Sequence, residues 1–113
     1  MKESNSEVRN QADIITPQMI LLGISEYYNL DPVDITTKLR SIDYIRPRQI
    51  FIFLCREMTD ISLNSIAVIV NKPNYCNIIH DLITINKEVE NNEEVRKQIE
   101  DIKYLIKTFY CRM

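Results

Sequence analysis

Glycine is nearly missing from this sequence, with one residue, Gly23, in 113. Glycine-rich phosphate loops and dinucleotide fingerprints are thereby excluded, because they need glycine wherever the backbone closes on a phosphate. Tight hairpins, whose turns need positive φ, are disfavoured for the same reason. Histidine occurs once, as His80, and the three cysteines, Cys55, Cys76 and Cys111, are widely spaced with no CxxC pair. A structural zinc site is not expected, and an odd number of scattered thiols fits a reducing compartment. Long apolar runs are also missing. The longest, Ile50 to Cys55, falls far short of the ~20 residues that span a bilayer. Residues 1–13 hold no apolar stretch long enough for a signal peptide. The expectation is a cytoplasmic chain with no membrane partner.

What is present suits one small domain. A chain of this length buries roughly two-thirds of its unfolded surface, and a hydrophobic content of 45% is that of an ordinary globular protein. The net charge is −2, but its distribution matters more than its sum. Between Thr37 and Met58 five cations (Lys38, Arg40, Arg46, Arg48 and Arg56) face two carboxylates, Asp43 and Glu57, so a basic stretch sits in an acidic chain.

The apolar spacing is helical throughout, and no strand or repeat is evident. Residues 1–13 are polar and aperiodic and are expected to be a flexible tail before a domain spanning 14–113. Thr16-Pro17 has the form of an N-cap followed by proline at the first helical position. Met19, Ile20, Ile24, Tyr27 and Tyr28 then make one face. Asn29 to Pro32 breaks this helix, and Asp31-Pro32 begins a short second one through Ile35. Thr36 to Ile45 is expected to be a basic connector. Arg46-Pro47 is expected to open a third helix, apolar nearly all round from Ile50 to Cys55, as suits the centre of a bundle. Ser62 caps a short helix from Leu63 to Val70. After the turn Asn71-Lys72-Pro73, Asn74 caps a helix to Val89 that carries Ile78, Leu82, Ile85 and Val89 on one side. Asn91-Asn92 is the next break. Val95, Ile99, Ile102, Ile106 and Phe109 stripe the last helix. The result is an all-α bundle of six helices, in which 63–70 and 74–89 form a helix-turn-helix candidate.

These residues also resemble a family. ITPQMI at 15–20, RPRQIFIFLCREMT at 46–59, SLNSIA at 62–67 and Ile78-Ile79-His80 are similar, in order and spacing, to blocks of the C-terminal DNA-binding domain of bacterial replication initiators of the DnaA type. The resemblance covers residues 15 to about 106 and implies a helix-turn-helix bundle related to the Trp-repressor-like folds. It implies that Arg40 enters the minor groove, where a narrow A·T-rich groove attracts arginine. It further implies that Arg46, Arg48 and Gln49 lie along the phosphate backbone, with Lys38 and Arg56 in support. Leu63 and Asn64 would sit near the backbone, and Asn74, Tyr75, Cys76 and Asn77 would open the helix whose first turn reads the major groove.

The departures fall in that last set. Most of the family has Gly-Gly-Arg-Asp-His-Thr/Ser-Thr where this chain has Asn71-Lys72-Pro73-Asn74-Tyr75-Cys76-Asn77. Asn77 suits an adenine edge and Tyr75 a thymine methyl, whereas Cys76 is a poor donor, so altered specificity is expected. Initiators of this type also carry an ATPase module and an N-terminal interaction domain. Neither fits in 113 residues and no Walker loop is present, so no nucleotide, metal or other cofactor is expected. Met1 and the polar leader favour a free-standing, nucleoid-associated regulator of replication or transcription. No paired acid and base, metal cluster or activated nucleophile points to an enzyme. His80 is read as structural or backbone-facing, Cys55 as a core residue, and Tyr27, Tyr28 and Tyr44 as the edge of the core. The alternative function is a protein-interaction module that offers an apolar stripe, such as that of the last helix, to a partner.

Overall fold

A computed structural model describes residues 15–37, 41–71 and 75–110. These form six helices and no strand: α1 (Pro17–Tyr28), α2 (Pro32–Thr37), α3 (Ile42–Met58), α4 (Leu63–Ile69), α5 (Tyr75–Asn91) and α6 (Glu93–Tyr110). The expected tail at residues 1–13, the segments 38–40 and 72–74, and Cys111 lie outside the described residues.

The helix ends are set by side-chain chemistry. Thr16 Oγ1 accepts the Met19 N–H at 3.2 Å, and Pro17 lacks the N–H that would otherwise need a partner. Asn29 ends α1 in the left-handed region, φ 58, where its N–H and that of Leu30 both reach the Ser25 carbonyl. Asp31 Oδ1 accepts the Val33 N–H at 2.9 Å and starts α2. Ser62 Oγ accepts the Ser65 N–H at 3.1 Å and starts α4. Asn92 is the single residue between α5 and α6. Its Oδ1 accepts the N–H of Glu94 at 3.0 Å, while Arg96 Nη1 returns to the Val89 carbonyl at 2.7 Å. One side chain thus begins α6, and another receives the open carbonyls of α5.

α3 departs from expectation at its start. It opens at Ile42, after Ser41, and Pro47 lies inside it. Residues 42–45, expected in a connector, are helical, and Thr36 and Thr37 complete α2. Pro47 has no N–H to offer the Asp43 carbonyl four residues back, which is why proline signals a helix start in sequence. Packing overrides that signal. Tyr44, Pro47, Arg48 and Phe51 share one inward face at helical spacing, all of them half-buried or buried.

α3 is the central helix and packs on α1, α2 and α5. Ile50, Phe51, Ile52, Leu54 and Cys55 are fully buried. The stripe of α6, Val95, Ile99, Ile102 and Ile106, is buried as well, and α6 packs along α1 and α5. This corrects the expectation that the stripe is open to a partner; it is core, and the side chain of Phe109 lies outside the description. Each fully buried isoleucine contributes about 1.5–3 kcal/mol of transfer free energy. Tyr28 adds a polar tie between α1 and α6, its hydroxyl donating to Gln98 Oε1 at 2.7 Å. As expected, Tyr27, Tyr28 and Tyr44 edge the core and Cys55 is inside it.

The packing around Gly23 can be tested directly. Gly23 is buried, and a Cβ there would stand 2.5 Å from Ile106 Cγ1. Gly23→Ala should therefore destabilise by about 1–3 kcal/mol through overpacking, despite alanine's better helix propensity. The loss should shrink in an Ile106→Ala background, and urea unfolding of the four-member cycle measures it. Burial also pushes both the Tyr28 phenol and the Cys55 thiol up to about 12. The folded chain holds these protons more tightly than the unfolded one. Stability should therefore be intact below about pH 9 and fall as pH rises towards 12. The fall should be shallower in Tyr28→Phe/Cys55→Ala, as read by urea midpoint against pH.

Candidate nucleic-acid interface

α4 and α5 pack against each other, and α5 rests on α3 and α6. On α4, Ile66 and Ala67 are buried and Leu63 packs against the core, which leaves Asn64 and Ser65 exposed in the first turn. Leu63 and Asn64 both open α4, with the Leu63 side chain turned inward and Asn64 outward. On α5, Ile78 and Ile85 are fully buried and Leu82 and Val89 pack beside them, as the spacing implies. The opposite face holds Cys76, Asn77, Ile79, His80, Ile83 and Lys87, all exposed. His80 is therefore outside the packed interior. Asn74 lies outside the described residues, and Tyr75 is the first residue of α5 with its side chain outside the description.

The turn between the helices is closed by Asn71, whose φ is 60 and whose N–H donates to the Val68 carbonyl at 3.2 Å. Asparagine tolerates this left-handed conformation, so the turn forms without glycine. Its amide Nδ2 also donates to the Thr36 carbonyl of α2 at 3.1 Å. In sequence, Asn71 reads only as a turn residue. The signal available is its residue type at a sharp bend, while the bond to α2 joins positions 35 apart.

The described cations of the basic stretch go to different places in the fold. Lys38 and Arg40 lie outside the described residues. Arg48 is 3% exposed and donates from Nη1 to the Ile35 carbonyl at 3.1 Å. Burial lowers its pKa from the ordinary arginine value, and the Asp81 carboxylate of α5 acts in the opposite direction. Gln49 is buried too. Arg48 and Gln49, expected along the phosphate backbone, thus both have their side chains inside the helix packing. Arg46 pairs with Glu88 at 3.6 Å, near the far end of α5, and its Nη1 is buried with no hydrogen-bond partner among the described residues. Thirteen residues of helix separate Glu88 from Tyr75, about 20 Å along the axis. Arg56 is exposed and donates to the Ile61 carbonyl at 3.0 Å, bracing the loop that leads into α4. Among the described residues no group of three His, Cys, Asp or Glu side chains could hold a metal. No helix among them is long and apolar enough to cross a membrane.

The architecture has known relatives. Residues 17–85, from the first residue of α1 into α5, match the family described as bacterial DnaA protein helix-turn-helix. This chain belongs to that family. It is 33% identical over 102 residues to the chromosomal replication initiator protein DnaA of Caldanaerobacter subterraneus subsp. tengcongensis, covering 90% of this chain and 23% of the relative. The same-named protein of Limosilactobacillus fermentum is 29% identical over 96 residues, covering 85% and 22%. That of Corynebacterium jeikeium is 26% identical over 94 residues, covering 83% and 16%. The chain thus spans about a quarter or less of the length of these DnaA proteins. The family match takes in α4, the turn and the first part of α5, so the helix-turn-helix is the part of DnaA that this chain shares.

Arg48 gives the prediction here. Arg48→Ala would leave the Ile35 carbonyl without its donor and remove the cation that Asp81 faces. Urea unfolding should show a loss of about 2–3 kcal/mol, as for a buried bond to a charged group. Arg48→Lys should recover part of it, and an alanine variant as stable as the parent would contradict the assignment.

Proposed function

We propose that this chain binds double-stranded DNA through the first turn of α5 and through Arg40, acting in replication initiation or its control and not as an enzyme. The observation that carries this reading is the family match across the helix-turn-helix. Supporting it, Cys76 and Asn77 stand outward on the first turn of α5, the end of a recognition helix that meets base edges. Asn77 is the reader best suited to an adenine edge, and Tyr75 would pack on a thymine methyl. Lys38, Asn64 and Arg56 are the backbone contacts. Arg48 acts from inside, tying α3 to the end of α2 through the Ile35 carbonyl, and Arg46 reaches phosphate only by leaving Glu88. The chain works in the cytoplasm, on the nucleoid, without nucleotide or other cofactor. Its base-facing run differs from the common family pattern, so its preferred site differs from the family's usual box.

Exposed apolar side chains on the motif favour a second reading. Val68 on α4 and Ile79 and Ile83 on α5 are 76%, 38% and 52% exposed. They suit a protein partner that covers the motif itself, not the α6 stripe.

Selection from a randomised duplex pool at two salt concentrations tests the first reading. It predicts an enriched sequence and an affinity that falls log-linearly with salt. Arg40→Ala should weaken A·T-rich sites most, and Asn77→Ala should remove about 1–3 kcal/mol of discrimination at one base pair. No enrichment together with a flat salt response would overturn it. A partner recovered intact after nuclease treatment would then support the second.

A further inference from the structure

α5 carries three acids, Asp81, Glu88 and Glu90, and two of them are met by α3. Asp81 acts on the buried Arg48, and Glu88 pairs with Arg46 at 3.6 Å. Glu90, seven residues after Ile83, falls beside the exposed isoleucines. Another side of α5 holds no acid at all. Asn77, His80, Thr84, Lys87 and Asn91 recur three and four residues apart and so form one stripe. Thr84 is half-buried and the other four are exposed.

The cations among the described residues differ in what holds them. Arg46 and Lys103 are ion-paired, and Arg48, Arg56 and Arg96 donate to carbonyls. The Lys87 ammonium makes neither an ion pair nor a hydrogen bond; only its backbone carbonyl is used, by Asn91 Nδ2 at 3.0 Å. Lys97 and Lys107 are likewise uncompensated, but both lie on α6. Within the helix-turn-helix, Lys87 is thus the one uncompensated cation among the described residues.

Its place along α5 matters as much as its charge. Lys87 comes ten residues after Asn77, about 15 Å along the axis. The major groove is ~12 Å wide and ~8.5 Å deep. A helix with Asn77 at a base edge therefore brings Lys87 to the rim of the groove, where the phosphates are. Glu88 stands at the same level, and its pairing with Arg46 limits its repulsion of those phosphates.

We infer that Lys87 is a phosphate contact at the far end of the recognition helix, so that α5 engages a duplex along its acid-free stripe and not by its first turn alone. This rests on the DNA-binding reading above.

The test compares Lys87→Gln with Lys97→Gln, which removes the same charge from α6. Both side chains are exposed, so neither change disturbs packing. Affinity is measured against salt on the best duplex from the pool and on a scrambled duplex of equal length. Lys87→Gln should weaken both duplexes by a similar factor, roughly fivefold at ~0.1 M salt, and remove ~0.9 from the slope of log affinity against log salt. Lys87→Arg should keep the slope, and so should Lys97→Gln. An unchanged slope in Lys87→Gln would overturn the contact while leaving DNA binding intact. An equal effect of Lys97→Gln would also overturn it, as a response to net charge, and so would a loss confined to the selected duplex, which marks base reading. A parent that binds no duplex would overturn the DNA reading and the contact together.

Discussion

A buried guanidinium holds the arrangement of this domain. Arg48 sits almost wholly inside, on the central helix, donating to the last turn of α2 and facing the carboxylate of Asp81 on α5. A charge in such a place persists only where partners replace its water. Here the partners come from the neighbouring helices, so the charge is satisfied only when those helices are in place. The short α2, six residues long, is too small to be stable alone. It is held by apolar contact through Ile35 and by side chains that meet its open carbonyls.

The same economy of parts recurs along the chain. With one glycine available, asparagine takes the left-handed positions at Asn29 and Asn71, and Asn92 starts α6. Each of these asparagines does a backbone task, and Asn71 adds a contact across the fold. The isoleucine-rich core leaves the two helices of the motif with one face inward and one outward. Folding then separates the cations of the basic stretch into different roles: Arg48 braces the interior, Arg46 pairs with Glu88, and Arg56 braces the loop before α4. Of the three, Arg48 is thereby withdrawn from the surface.

Membership in the DnaA helix-turn-helix family covers the frame of the motif. The frame elements, from the cap at Ser62 through Ile66 and Ala67 to Ile78 and Ile85, are those that packing requires. The outward positions of α5 carry no such constraint, since Cys76, Asn77, His80 and Ile83 contribute little to the core. They are the positions at which a member of the family can change what it contacts while keeping its fold.

Much of this is legible in the sequence, because the decisive signals are local. Thr16-Pro17, Asp31-Pro32 and Ser62 place helix starts through bonds spanning two or three residues, and the isoleucine spacing marks the inward faces of α1, α5 and α6. Two features are not legible. Pro47 carries a local signal for a helix start, yet α3 begins five residues earlier, because burying Tyr44 beside α2 outweighs one lost backbone bond. Arg48 and Asn71 look like a surface cation and a plain turn residue. Their roles depend on the Ile35 and Thr36 carbonyls, which reach them only when the chain has closed. Sequence by itself therefore determined the helix-turn-helix within an all-helical bundle. Tertiary structure alone decided which cations turn inward and what ties the motif to α2, since such bonds join residues far apart along the chain.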